Sequence, residues 1–280
     1  MRCLSFKNLA LSASAIFPAV FLAGMPSPAA GPDSVWHQPA PQDVRLEGGE
    51  IGRRIAVTVE GNILQLNIED DFLRPFRQRN AGGGYMGLGK LIDSVVRFAA
   101  HTRDPRLIEL KRKVIAEITA TQEADGYIGI MKPEARMWSL WDVHEMSYLV
   151  YGLTSDHEFF GEEASLAAAR RLADYIMKRW EAEPDAKPGG GSITVYTAVT
   201  GLENAFLALS RQSGDAKYRD FTVRFRALPA WDARIVLGRH GLIEGHIYAY
   251  LCRSIAQLRL SDWLPDDRLW APSRAALDFL

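Results

Sequence analysis

Fifteen residues, W-S-L-W-D-V-H-E-M-S-Y-L-V-Y-G from Trp138 to Gly152, hold two tryptophans, a histidine, two acids and two tyrosines. His144 and Glu145 stand side by side as in the zinc motif H-E-x-x-H, but position 148 is Tyr. The second ligand one turn on is missing, so a metalloprotease centre is excluded. Two uses remain for the pair. Either they hydrogen-bond a ligand above the helix, or they are buried partners that hold the loop Met131 to Leu140. His246, in E-G-H-I-Y, opens a later helix as His144 opens this one, and two histidines at equivalent places suggest a shared cavity.

Around these stand Trp138, Trp141, Tyr127, Tyr85, Tyr196 and Tyr248. Flat apolar faces with a polar tip suit saccharides, whose C–H faces stack on rings while their hydroxyls bond to His, Glu, Asp and Asn. The alternative is that the rings pack loops against helix tops. Asp125, Glu145, Glu203 and Glu244 are the acids available for glycosidic chemistry, which needs two carboxyl groups, or a carboxyl and another nucleophile, across the scissile bond. Glu203 can equally be a solvated helix residue. The glycine runs at Gly82 and Gly189 lack the strand, Lys and Ser/Thr of a phosphate loop.

The elements that carry these residues are helical. Apolar periodicity predicts helices over 88–102, 107–122, 140–153, 164–180, 197–210, 218–226, 244–260 and 269–280, which pair into four hairpins. Ser139 with Asp142 three residues on resembles a capping box, placing one helix start there and its end near Gly152. Turns at Asp104, Thr154-Ser155-Asp156, Asp215 and Asp267 recur 52, 59 and 52 residues apart, as in a stacked array of two-helix units. Connections at the opposite end are long and rich in Gly and aromatic residues, and each feeds a helix N-terminus. Loops longer than connection requires usually carry function. Upstream, Ile55 to Ile68 alternates with a Gly61-Asn62 turn and is expected to form a β-hairpin within a 31–86 extension.

Residues 1–30 have the pattern of a secretory signal: Arg2 and Lys7, an apolar run, then small residues before Ala29 or Ala30. Its removal carries export to the periplasm or the medium as an expectation, leaves no membrane partner, and moves the net charge from −1 to −3. That balance argues against nucleic acid as a partner. Cys3 leaves with the signal and Cys252 stands alone, so neither a disulfide framework nor a cysteine zinc site can be built. About 250 residues at 48% hydrophobic suffice for one sizeable core.

The ordered blocks G-G-Y-M-G-L-G-K-L-I-D, T-Q-E-A-D-G-Y-I-G, M-W-S-L-W-D-V-H-E-M, R-R-L-A-D-Y-I and I-E-G-H-I-Y-A-Y-L resemble the catalytic domain of the β-L-arabinofuranosidase family of glycoside hydrolases over about Glu47 to Leu280. The resemblance implies an all-α fold, an α/α toroid of six hairpins of which this sequence carries about four. It also implies a carbohydrate substrate, with His144 and His246 hydrogen-bonding the arabinofuranose; Glu145 travels with the first of these blocks without an assigned role, and Trp138, Trp141 and Tyr127 are expected beside them from their residue types alone. The family's cysteine nucleophile, its zinc ligands and its acid/base glutamate match nothing here, so no cofactor is expected in this chain and the catalytic set would lie beyond Leu280. A truncated reading frame is one explanation. A partner chain completing the ring, a homo-oligomer included, is another. A carbohydrate-binding remnant and a toroid enzyme on uronic-acid sugars are the rival functions; the second requires cations facing the cavity, for which Arg136 and Arg239 are the rim candidates.

Overall fold

A computed structural model describes residues 39–46, 48–189, 193–232 and 246–279. The chain divides into Met1–Asp33 and Ser34–Leu280, and all described residues lie in the second unit. The predicted signal segment lies outside the described residues, as do His240, Arg239 and Glu244. No described helix is long and apolar enough to cross a membrane.

The described chain is almost entirely helical: α1 (Gly49–Gly61), α2 (Arg74–Gln78), α3 (Leu88–Thr102), α4 (Pro105–Thr119), α5 (Asp142–Phe160), α6 (Glu163–Ala182), α7 (Val195–Ala198), α8 (Leu202–Ser213), α9 (Ala216–Arg224), α10 (Ile247–Leu260) and α11 (Ala271–Phe279). Helices α3/α4, α5/α6, α8/α9 and α10/α11 form four antiparallel hairpins. Their first members pack in sequence, α3 on α5, α5 on α8 and α8 on α10, making an inner wall with the second members outside it. This is the expected toroidal array.

The β-hairpin expected over Ile55 to Ile68 is absent: α1 and a short 3-10 turn at Ile63–Gln65 occupy that stretch. A strand would put Ile55, Val57 and Val59 on one face. Instead Val57 is 56% exposed while Val59 and Ile63 are buried at 4% each, the spacing of a helical stripe continued into the turn. An isolated β-bridge joins Ala81 and Met131.

A second correction concerns α5, which does not end at Gly152 but runs to Phe160 and closes at Gly161, where φ is 69°. Thr154, Ser155 and Asp156 are therefore not a turn. They are buried helix residues with internal partners: Thr154 donates to the Val150 carbonyl at 2.7 Å, Ser155 to Asp93 at 2.6 Å, and Asp156 accepts from Lys111 at 2.7 Å and Ser165 at 2.6 Å. Two other turns carry the caps expected of them. Asp104 accepts from the Arg106 N–H and Asp215 from the Lys217 N–H. In the Asp-rich stretch ending at Asp267 the cap is Asp266.

The inner wall is tight because two glycines meet in it. A Cβ on Gly89 of α3 would fall 2.1 Å from the Tyr148 carbonyl carbon of α5, and one on Gly152 would fall 2.7 Å from the Gly89 carbonyl oxygen. No other residue allows the backbones this approach. The buried face continues through Ile92, Val95 and Val96 of α3 and Met146, Leu149 and Val150 of α5. The closeness holds the starts of the two helices, and the residues on them, in one arrangement.

Candidate functional site

All four inner helices begin at the end of the array that carries the long connections. The start of α5 is built from three loops. Trp141 at the N-cap has φ 78° and no side-chain cap, so the capping box expected of Ser139 and Asp142 does not form. Ser139 donates instead to the Ala135 carbonyl. Asp142 turns back, accepting from the Met137 N–H at 2.6 Å and from the Tyr127 hydroxyl at 3.1 Å. Burial raises its carboxyl to about 6, against the pull of those two bonds.

Tyr127 is thereby a core residue. It is wholly buried, its hydroxyl also accepts from the Met131 N–H at 3.0 Å, and the Arg136 guanidinium lies 4.2 Å from its ring centroid. Its place among ligand-binding residues is corrected: no face of the ring is open. Arg136 is likewise engaged, with Glu123 at 2.7 and 2.8 Å, and is no free cation.

Glu145 has a positional role. From the first turn of α5 its carboxylate crosses to the start of α3 and accepts from the N–H groups of Met86 at 2.6 Å, Gly87 at 2.7 Å and Gly89 at 3.5 Å. These are orphan donors of a helix N-terminus, satisfied by an acid from the neighbouring helix. Burial nevertheless raises the Glu145 carboxyl above the usual range.

His144 is 4% exposed and neither ring nitrogen has a hydrogen-bond partner among the described residues. The Thr200 backbone is near enough to favour a proton on the ring but outside hydrogen-bond geometry. Three aromatic rings box the imidazole, Tyr85 at 4.9 Å, Tyr148 at 5.1 Å and Trp141 at 5.5 Å between centroids. Burial, and secondarily the Lys90 charge, lowers it to about 3, so the ring is neutral. Lys90 itself lies 4.6 to 5.2 Å from the centroids of Tyr148, Tyr85 and Tyr248, and burial lowers it too.

His246 is exposed at the start of α10, its Nδ1 accepting from the Ala249 N–H at 3.2 Å. It is joined to His144 through two tyrosines: Tyr248 lies 6.0 Å from His246, its hydroxyl meets that of Tyr148, and Tyr148 packs on His144. The histidines thus stand at one end of the wall without direct contact. A cleft of about 670 Å³ opens beside them, lined by His246 but not by His144. Trp180, at its wall, packs edge-on to Trp138 at 5.6 Å, while Trp138 donates to Glu183 at 2.9 Å.

The remaining acids have internal partners. Asp125 accepts from the Tyr127 N–H at 3.0 Å. Glu203 is not solvated but 5% exposed, accepting from Arg226 at 3.0 Å and Arg253 at 3.3 Å. Among the described residues no three of His, Cys, Asp and Glu come together as a metal would require, and Cys252 has only the Tyr148 hydroxyl at 3.8 Å. These residues do not by themselves fit a zinc site. Sequence reasoning missed Lys90, Arg226 and Arg253. The one available signal was Arg253, a charge inside the apolar run of α10.

Solved structures that share this fold include two GH127 enzymes. A GH127 β-arabinofuranosidase aligns at TM-score 0.60 and 16% identity over 85% of this chain and 42% of its own. A GH127 β-L-arabinofuranosidase from Geobacillus stearothermophilus T6 aligns at TM-score 0.57 and 18% identity over 83% of this chain and 44% of its own. The chain spans less than half the length of either. No curated protein matches it in sequence. Residues 67–257 match the family model for the β-L-arabinofuranosidase GH127 catalytic domain, and the chain belongs to that family of glycoside hydrolases.

Proposed function

We propose that this chain supplies the sugar-binding end of an exported glycoside hydrolase acting on β-L-arabinofuranosyl or related plant-derived sugars. The observation that carries the reading is the state of His144: two buried ring nitrogens without partners among the described residues, in a box of Tyr85, Trp141 and Tyr148. A buried polar group left unpaired is costly, and a bound hydroxyl would relieve it. A neutral imidazole both donates and accepts, which suits a sugar hydroxyl that does the same. The rings offer stacking faces, and Glu145 fixes the box by tying the Tyr85–Gly87 loop to α5. His246 lies across the Tyr148–Tyr248 contact as a second donor or acceptor for the same ligand.

Binding without hydrolysis is the second reading. It is favoured by the internal partners of Glu145 and Glu203, which leave neither of these buried acids free to act on a glycosidic bond. A His144→Phe variant keeps the aromatic volume and removes both nitrogens. In calorimetry with a β-L-arabinofuranosyl disaccharide, the variant is expected to bind at least about tenfold more weakly, one or two lost hydrogen bonds. Equal affinity of the two proteins would overturn the sugar site. Release of arabinose by the wild-type protein decides between hydrolysis and binding alone.

A further inference from the structure

The cleft beside His246 carries chemistry that a neutral sugar does not need. Its described lining includes Lys187, Arg226 and Arg253 and no acidic residue. Beneath the two arginines lies Glu203, and a single oxygen of its carboxylate, Oε1, takes both guanidinium groups. Two buried cations therefore share one anion.

The donors of the pair are also incompletely used. Arg226 gives its Nε–H to Glu203, but among the described residues its buried Nη2 has no partner. Arg253 gives Nη1 to Glu203 and Nη2 to the Arg226 carbonyl, while its buried Nε likewise has no partner among them. Both residues are deeply buried, at 7% and 5% exposure, where an unneutralised guanidinium is expensive. Burial pulls Arg253 below the ordinary arginine range, against the opposing pull of Glu203 and with the repulsion of Arg226. A purely structural Arg–Glu–Arg bridge would be expected to satisfy these donors. Among the described residues this one leaves two guanidinium groups on one carboxylate and two N–H groups unpaired beside the cleft.

The walls complete the picture. Trp180, Tyr196 and Trp231 all line the space, with Tyr196 53% exposed. Arg253 lies 4.5 Å from the Tyr196 centroid and 5.4 Å from that of Trp231, and Arg226 lies 5.1 Å from that of Trp180. Aromatic faces next to fixed guanidinium groups suit a ligand that is part sugar ring and part carboxylate.

We propose that this cleft takes an acidic sugar residue, its carboxylate received by Arg226 and Arg253 with Lys187 at the mouth, adjoining the sugar held at His144 and His246. The inference rests on the glycan-binding reading above and adds to it a charged neighbour on the substrate. The cations that the sequence-level rival of a uronic-acid enzyme required are present, on α10 and the segment after α9 and not on Arg136.

The test is calorimetric titration of the full-length protein with trigalacturonic acid and, separately, with its methyl ester, which removes the charge and keeps the ring. The acid is expected to bind at least about tenfold more tightly than the ester, the worth of one charge-assisted pair. That preference is expected to fall about threefold in Lys187→Gln, an exposed position whose change leaves the core untouched, and to vanish in Arg226→Gln if that variant retains its circular dichroism. Equal binding of acid and ester, or no binding of either, overturns the carboxylate subsite. Running His144→Phe against both ligand types separates the two claims. Loss of arabinofuranoside binding with no acid preference leaves the furanoside site standing and this one fallen, and an acid preference without any furanoside binding does the reverse.

Discussion

The Glu145 carboxylate lies 2.7 Å from the Gly87 N–H, so the first turn of α5 closes the N-terminus of α3, the helix packed beside it. One side chain thus joins two inner helices and fixes the loop that brings Tyr85 onto His144.

If Glu145 is the clasp, removing it should cost stability before it costs chemistry. Glu145→Ala leaves the buried N–H groups of Met86 and Gly87 without an acceptor, and unfolding in urea is expected to show a loss of about 2–4 kcal/mol. Glu145→Gln keeps one acceptor oxygen and should lose less than the alanine variant. A stability equal to wild type in Glu145→Ala would show that the contact is incidental.

The glycine crossing gives a sharper test of the wall itself. Gly89→Ala drives a methyl group to 2.1 Å from the backbone of Tyr148, where no side-chain rotation can relieve it. The helices must separate, and a loss of about 3 kcal/mol or more in stability is expected, together with weaker sugar binding as Tyr85 and His144 move apart. By contrast Gly161→Asn, at the αL end of α5 where a Cβ meets nothing, should cost less than about 1 kcal/mol. Thermal melts of the two variants side by side would expose a misplaced crossing if Gly89→Ala proved the milder.

Acid should loosen the protein through His144. Its folded value, near 3, lies below the ordinary 6.5, so the unfolded chain binds the proton more readily. Stability from keeping this ring neutral is present above about pH 6.5 and drains away as pH falls toward 3, on the order of 4 kcal/mol across the window. Asp142 works in the opposite sense: raised from 3.8 to about 6, it favours the folded state at low pH and loses that contribution as pH rises through 6. In His144→Phe the first contribution is gone, so between pH 4 and 6 the melting temperature should fall with rising pH relative to wild type. Parallel pH profiles for the two proteins would contradict the assignment.

Much of the architecture was legible in the residues alone. The 88–102 helix was read with its observed bounds, because Leu88, Leu91, Ile92, Val95 and Val96 mark one face without interruption. Asp104 and Asp215 announced their helices through short-range caps, which need no information beyond the next two residues. The unequal ends of the array followed from loop length, and the family from ordered motif blocks.

What failed did so where burial, and not local pattern, decided. Alternating apolar residues at 55, 57 and 59 fit a strand as well as a helix, and only the neighbour that covers Val59 and leaves Val57 in solvent selects the helix. Thr154-Ser155-Asp156 has turn chemistry in isolation, yet Lys111, Asp93 and Ser165 come from other parts of the chain to satisfy it inside α5. Composition and period along the chain therefore determined the helical segments from Leu88 onward, how they pair and which end bears the aromatic loops. Only tertiary packing decided that Tyr127 and Glu145 hold the frame, that His144 is left with unpaired nitrogens, and that two arginines distant from the motifs share one glutamate: those outcomes depend on which groups far apart in sequence exclude water from one another, and no local spacing records that.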